Sequence, residues 1–260
     1  MNSNLEALRH LVGSTLTGWR GSACFRPAAV QPAQLLELYD IESSPYCRMV
    51  RETLSELDID VLIKPCPKGG TRFRKEAIAR VGKAQFPLLV DPNTDTVMLE
   101  SADIIDYLLR TYGGREQVPA RGIGRTARLA GGYMATVVNW RPGGIGGLTA
   151  EPSEAPAQPL ELFSFETSPF SKGVRMRLCE LEIPYRLRNT AKGAWSDMGP
   201  AVFRDKLFKG PRNTTRNRTW LNEHTGAVQV PYLIDPNTEV AMYESADIVD
   251  YLDNTYALDA

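Results

Sequence analysis

Apolar residues along the chain fall into short runs and helical stripes in a fixed order. LLELYDI, from Leu35, is an apolar run that reads as a strand. After SSPYC, the segment RMVRETLSELDI sets Met49, Val50, Leu54 and Leu57 at helical spacing, with Ser44 as cap and Pro45 at the first helical position. Asp60 to Lys64 reads as a second strand ending in PCPKGG, and RFRKEAIARVGK as a second helix. QFPLLVDPNTDTVMLESADIIDYLLRTY, Gln85 to Tyr112, gives a strand after Pro87, an Asp-Pro-Asn-Thr turn, a return strand and an amphipathic helix entered through Glu-Ser-Ala-Asp. The order is β-α-β-α-β-β-α, and its opening strand, helix and strand predict a right-handed crossover between parallel strands.

The pattern then repeats. LELFSFETSPFSKGVRMRLCELEIPY matches the first half, and QVPYLIDPNTEVAMYESADIVDYLDNTY, Gln229 to Tyr256, matches the second. Ser44 and Ser168 stand 124 residues apart, as do Lys68 and Lys192, whereas Pro87 and Pro231 stand 144 apart; the second copy therefore holds about 20 additional residues. The expected division is an N-terminal helix and linker over 1–34, a first copy over 35–112, a linker with a helix near Arg125 to Trp140 over 113–159, and a second copy over 160–260 with an insertion at about 194–228. Trp19-Arg20 and Trp140-Arg141 end the segments preceding the copies, so a structural helix is expected before each, and the N-terminus reads as part of the repeat rather than a leader.

Composition narrows the function classes. A net charge of -1 gives no pull toward nucleic acid or anionic membrane, and no apolar run approaches membrane-spanning length. Cys24, Cys47, Cys66 and Cys179 are too sparse for a disulfide-stapled scaffold and match no zinc spacing, so a reducing, cytoplasmic setting and no metal are expected. The insertion gathers Arg204, Lys206, Lys209, Arg212, Arg216 and Arg218 beside Trp195, Phe203, Phe208 and Trp220. That mixture suits a grip on an anion or single-stranded nucleic acid, but a loop and helix packed by its aromatics is the expectation. Asn213 and Asn217 begin sequons that matter only in a secreted protein.

The element order, the Ser-Pro-aromatic turn, the apolar-Pro pairs Phe86-Pro87 and Val230-Pro231, and Glu100-Ser101 with Glu244-Ser245 together resemble the thioredoxin-like N-terminal domain of glutathione transferases and glutaredoxins. The chain is similar to tandem proteins that carry two such domains without the usual helical C-terminal domain. The resemblance implies an α/β fold of two thioredoxin-like domains with mixed sheets, and glutathione as ligand. In the first copy it implies a site of Ser44, Tyr46, Lys68, Phe86, Pro87, Glu100 and Ser101. Ser101 would offer its hydroxyl and helix N-terminal amides to the γ-glutamyl carboxylate, and Glu100 would accept from the ammonium. Pro87 and Pro231 would be cis, leaving the backbones of Phe86 and Val230 to pair with the cysteinyl part. Lys68 would reach the glycyl carboxylate.

Ser44 stands where dithiol glutaredoxins have their nucleophilic cysteine, as in serine-type transferases, whose hydroxyl lowers the pKa of the bound thiol. Cys47, in the first helical turn, is the alternative catalytic group, by helix-dipole stabilisation of a thiolate, or else a buried inert cysteine. A Cys47–Cys66 disulfide and an iron–sulfur cluster shared between subunits are further options the residues leave open. The second copy offers Ser168, Ser171, Lys192, Val230, Pro231, Glu244 and Ser245 but no cysteine at the matching positions, as a weaker site or a structural partner. The expected function is a glutathione transferase-like protein acting on an electrophile or mixed disulfide, as monomer or homodimer. The alternatives are a glutaredoxin-like thiol transferase using Cys47 and a non-catalytic glutathione-binding scaffold.

Overall fold

A computed structural model describes residues 15, 18–115, 126, 129–131, 148–198 and 210–258. Apart from residues 15, 126 and 129–131, the helices expected before Trp19 and up to Trp140 lie outside the described residues, as do the insertion residues Phe203, Arg204, Lys206, Phe208 and Lys209. The first copy folds as β1 (Leu36–Asp40), α1 (Pro45–Glu56), β2 (Val61–Pro65), α2 (Phe73–Val81), β3 (Leu88–Asp91), β4 (Thr96–Leu99) and α3 (Ser101–Thr111). The second folds as β5 (Leu160–Ser164), α4 (Pro169–Glu180), β6 (Tyr185–Asn189), α5 (Arg216–Thr225), β7 (Tyr232–Asp235), β8 (Val240–Tyr243) and α6 (Ser245–Tyr256), with a 3-10 turn at Trp195–Asp197. Every expected strand and helix within the copies is present. The insertion is narrower than 194–228, because α5 is the counterpart of α2 and the added residues precede it.

The two copies share one eight-stranded sheet, ordered β4-β3-β1-β2-β6-β5-β7-β8. Within each copy the first two strands are parallel and the hairpin is antiparallel. The seam is the antiparallel pair β2·β6, with Val61 opposite Leu187, Leu62 opposite Arg186 and Ile63 opposite Tyr185. Leu62 and Arg186 are themselves equivalent positions, so an approximate two-fold axis passes through that pair. Alternation along β1 sends Leu36 and Leu38 to one face and Tyr39 to the other. The first face meets α1, α3, α4 and α6 in a single core running through both copies, from Leu54 and Leu108 to Leu178 and Leu252. Each such side chain contributes about 1.5–3 kcal/mol on burial, and none of that gain divides at the copy boundary. On the opposite face α2 covers Tyr39, Cys66 and Leu88, and α5 stacks Trp220 on Phe163 at 4.8 Å.

Contacts across the seam are reciprocal. Glu182, at φ 49°, takes the backbone N–H groups of Thr71 and Arg72 at 3.0 and 3.1 Å, capping α2, whose own N-cap has no side-chain cap bond. Asp58, at φ 54°, takes the backbone N–H of Arg216 at 3.2 Å and does the same for α5. The segment ahead of each copy crosses to the other copy. Cys24 N–H donates to the Lys192 carbonyl and Lys192 N–H to the Ser22 carbonyl, while Lys68 N–H donates to Leu148 and Ala150 N–H to Lys68. The first of these segments threads so closely that a Cβ on Gly21, at φ 75°, would come within 2.9 Å of the Glu166 Cβ.

The Asp-Pro-Asn-Thr turns are anchors. The Asp91 carboxylate accepts from the Tyr107 and Tyr112 hydroxyls at 2.6 and 2.5 Å, and Asn93 bonds the backbone of Gln34 at the chain's entry to β1. Asp235, Tyr251, Tyr256, Asn237 and Gln158 repeat the arrangement.

Candidate functional site

In the first copy the ends of β1 and β2, the start of α1 and the segment before β3 meet at one edge. The Cys66 N–H donates to the Asp40 carbonyl, joining the ends of β1 and β2, and the Ser44 N–H donates to the Ile41 carbonyl. Ile41, Phe86 and Leu99 pack against Tyr39, Cys66 and Leu88, which draws the segment before β3 to the same place. The Phe86-Pro87 peptide bond is cis, as is Val230-Pro231. Ser44 is half-buried and caps α1, its hydroxyl accepting from the Cys47 N–H at 3.4 Å, and Tyr46 beside it is exposed. Lys68 is exposed, with its backbone held by Leu148 and Ala150.

The start of α3 combines two unusual features. Glu100 sits at φ 69°, ψ 111°, a region uncommon for a residue with a side chain, and its carboxylate accepts from the Gln85 amide at 2.5 Å. Ser101 follows, buried, with a hydroxyl that has no hydrogen-bond partner. A buried hydroxyl costs about 1–3 kcal/mol when unpaired, so Ser101 holds an unused hydrogen bond at the start of α3. In the second copy Glu244 has φ 68°, ψ 116° and is held by Gln229 at 2.8 Å, while Ser245 is half-buried. Gln85 and Gln229 carry no role in the sequence reading; their recurrence two residues before each proline was the signal that could have found them.

The thiols are placed differently from what the helix-dipole argument suggests. Cys47 is fully buried, and burial, with Asp40 adding to it, pushes its thiol far above the ordinary range despite hydrogen bonds with Ser44 and Ile41. Burial does the same to Cys66, with Asp40 again contributing. The thiolate that the start of α1 would favour is therefore suppressed, and the inert-cysteine alternative fits Cys47. All four cysteines are free and buried.

At the second copy's matching edge the segment ahead of the first copy packs against the start of α4. Ser168 and Ser171 are both buried and bonded to each other, hydroxyl to hydroxyl, at 2.8 Å. Ser22 shares a short hydrogen bond with Thr167, and Cys24 packs with Phe165, Ala191 and Val230, the residue before the cis proline. Burial, helped by Asp58 and Glu56, pushes the Cys24 thiol up to about 12. Lys192 lies 5.9 Å from the Phe165 ring centre.

The described part of the insertion uses its charges internally. Arg216 pairs with Asp60 at 2.7 Å and Arg218 with the buried Asp197, while the exposed Trp195 stacks on Phe25 at 4.6 Å. Arg216 and Arg218, the described cations of this stretch that lie in α5, are thus engaged within the protein. Among the described residues no helix is long and apolar enough to cross a membrane, and no cluster of histidine, cysteine and acidic residues is placed to hold a metal ion.

Comparison with protein families gives a match twice in the chain, over residues 38–116 and 162–259, to the model described as glutathione S-transferase, N-terminal domain. Comparison with curated proteins and with solved structures gives no significant match.

Proposed function

The chain belongs to the glutathione S-transferase N-terminal domain family and carries that domain twice, and on that premise we propose a glutathione-binding, transferase-like protein whose working site is in the first copy. The observation that carries this reading is the start of α3, where the unpartnered, buried Ser101 hydroxyl follows Glu100 at positive φ. A γ-glutamyl end has a carboxylate and an ammonium on one carbon. It would place the carboxylate on the Ser101 hydroxyl and the α3 amide groups, and the ammonium on Glu100. Phe86 would supply backbone pairing beside cis-Pro87, with β3 beginning only at Leu88.

Ser44 is the group that would steady the thiolate. Its hydroxyl accepts from the first turn of α1 and retains a proton to donate, and a donor aimed at sulfur favours the ionised form. The thiolate would then attack an electrophilic carbon, displacing a leaving group as its anion or opening a polarised double bond whose carbanion takes a proton from solvent, or the sulfur of a mixed disulfide. In the second case the sulfur–sulfur bond breaks as the new one forms, and the departing thiolate takes up a proton from solvent. Cys47 is not the nucleophile in this account, because burial keeps its thiol protonated. The second copy serves as a structural partner: its buried Ser168 and Ser171 hydroxyls are bonded to each other, and the neighbouring Thr167 to Ser22.

Thiolate ultraviolet absorbance of bound glutathione, followed against pH, tests the role of Ser44. The bound thiol should titrate well below the free thiol in the native protein and return toward it in Ser44→Ala. Equal titration in both proteins would remove Ser44 from the chemistry.

A further inference from the structure

The first copy delivers Ser44 through a four-residue turn, Ile41-Glu42-Ser43-Ser44, closed by the Ser44 N–H on the Ile41 carbonyl at 2.9 Å. Its second residue, Glu42, is buried, and cations hold both of its polar ends. Arg51 of α1 donates to the Glu42 carbonyl at 3.0 Å and pairs with the carboxylate at 3.2 Å. The other two cations on that carboxylate come from α4 of the second copy, Arg175 Nε at 3.1 Å and Lys172 Nζ at 3.3 Å. Burial works against ionisation of Glu42, but Arg175, Arg51 and Lys172 more than offset it and hold the carboxyl below the usual range. The turn that places Ser44 is therefore fastened to the other copy through an ionised carboxylate.

Lys172 is an improbable residue for its own helix. It is buried one turn into α4, near the positive end of the helix dipole, where a cation is disfavoured. Burial lowers its pKa despite the pull of Glu42 and Glu166, and Arg48 and Arg175 add to the lowering. Among the described residues the carboxylate that its ammonium bonds is Glu42, so what offsets the cost lies across the seam. The matching turn of the second copy, Phe165-Glu166-Thr167-Ser168, is held less symmetrically than the repeat suggests. The counterpart of Lys172 is Arg48, whose Nε donates to Glu52 of its own helix at 3.1 Å and stands 3.9 Å from Glu166. A 3.3 Å hydrogen bond onto the first turn thus has a 3.9 Å ion pair as its counterpart on the second.

Resting on the glutathione reading above, we propose that Lys172 is a positioning residue for the first copy's chemistry: by holding Glu42 from across the seam, it fixes the turn that aims the Ser44 hydroxyl at the ligand's sulfur. A hydroxyl favours a thiolate only while its proton points at sulfur, and such a bond weakens steeply with misalignment. Arg175 shares the task, but it also holds Ser164, Phe165 and Glu166 in its own copy, so Lys172 is the member whose role separates from folding. The second copy then does more than complete the core. It sets the direction of one hydrogen bond in the first.

The test follows the thiolate absorbance of bound glutathione against pH in the full chain, for the native protein, Lys172→Met, Lys172→Gln, Lys172→Arg, Ser44→Ala and Ser44→Ala combined with Lys172→Met. Calorimetric affinity and urea unfolding are measured beside it. Lys172→Met should move the titration of the bound thiol up by about one pH unit, a tenfold loss of thiolate stabilisation, while affinity for the protonated ligand changes by less than about threefold. Lys172→Gln, which keeps a hydrogen bond without the charge, should shift the titration the same way by less, and it decides the matter if Lys172→Met does not fold. Lys172→Arg should restore the native titration. The double variant should titrate as Ser44→Ala does, because Lys172 acts through Ser44. A further shift in the double variant would make Lys172 a direct electrostatic partner of the thiolate, and an unchanged titration in Lys172→Met and Lys172→Gln, whatever their unfolding midpoints, would make it purely structural. Either result overturns the proposal while leaving glutathione binding and Ser44 in place. Failure of the native protein to bind glutathione, or equal titration in the native protein and Ser44→Ala, would overturn the reading of the site and the role of Lys172 with it.

Discussion

Arg51 of the first copy and Glu166 of the second are joined by two buried hydrogen bonds, Nε to Oε2 at 2.8 Å and Nη2 to Oε1 at 3.1 Å. The counterpart residues repeat the bond in the other direction, Arg175 Nε donating to Glu42 at 3.1 Å. Each guanidinium also binds a carbonyl of its own copy, Arg51 that of Glu42 and Arg175 that of Glu166. Arg51 further takes the Asp40 carboxylate, whereas Arg175 takes the Ser164 hydroxyl. Ionic groups taken out of water this completely are tolerable only with full pairing. The seam is therefore specified by charge and hydrogen bonding as well as by the shared apolar core.

Removing one member should expose that dependence. Arg51→Met takes from the buried Asp40 the guanidinium that pairs with it and leaves Glu42 and Glu166 to Arg175 and its neighbours, and is expected to cost about 3–5 kcal/mol in urea unfolding. Because core and sheet are continuous, unfolding of the native chain should be one transition with the same midpoint by tryptophan fluorescence and by circular dichroism. Two separated transitions would show that the copies stand independently.

Asp58 gives a pH dependence of definite sign. Burial pushes its carboxyl up to about 6, against the pull of Arg216, and its Oδ1 is buried without a hydrogen-bond partner. A raised folded-state pKa means the folded protein holds that proton more tightly than the unfolded chain. This contribution to stability is fully present below the unfolded carboxylate pKa near 4 and is lost as pH rises through about 6. Asp58→Asn keeps a cap for α5 and cannot ionise. The stability of Asp58→Asn relative to the native chain should therefore rise between pH 4 and pH 7, by on the order of 2–3 kcal/mol. A difference independent of pH would contradict the assignment.

Asp91 and Asp235 act in the opposite sense. Burial raises both, but hydrogen bonds from Tyr107, Tyr112 and Asn93 to Asp91, and from Tyr256, Asn237 and Tyr251 to Asp235, more than offset it and hold the carboxyls below the usual range. Their stabilisation is present above the unfolded pKa and is lost as pH falls through the folded one. Asp91→Asn should cost about 1–2 kcal/mol at pH 7, from weaker hydrogen bonds to two tyrosines, and the penalty should shrink in acid. Urea titrations at pH 7 and below pH 3 measure both ends.

The cysteines provide a kinetic check. With all four thiols buried and shifted upward, labelling by a thiol reagent in the folded protein should run at least about a hundredfold slower than for a free cysteine. Cys47→Ser should leave conjugation of glutathione to an electrophile unchanged, whereas Ser44→Ala should reduce it by about tenfold or more. Fast labelling at Cys47, or activity lost in Cys47→Ser, would restore the thiol-transferase alternative.

The repeat and its strands and helices were legible in the sequence because each follows from local pattern: apolar spacing, a Ser-Pro cap, an Asp-Pro-Asn-Thr turn; the grouping of Ser44, Phe86 and Ser101 as a site came from the resemblance to glutathione transferases. What was not legible depends on which surfaces meet. Arg51 and Arg175 look like the polar side of an amphipathic helix until the opposite copy brings Glu166 and Glu42 to them; their recurrence 124 residues apart, with the two glutamates, was the available hint. Strand alternation cannot reveal that β2 and β6 would pair, since the pattern along a strand fixes which face each side chain takes and not which strand lies beside it. The burial of Cys47 is likewise tertiary: the first turn of α1 favours a thiolate, and the low dielectric around it prevails.

The most direct test of the central claim is titration of the reduced protein with glutathione beside Ser101→Ala and Ser245→Ala. Binding in the first copy predicts one site per chain, a loss of about tenfold or more in Ser101→Ala and an unchanged affinity in Ser245→Ala. No binding to the native chain at millimolar glutathione, or binding that survives Ser101→Ala and fails in Ser245→Ala, would contradict it.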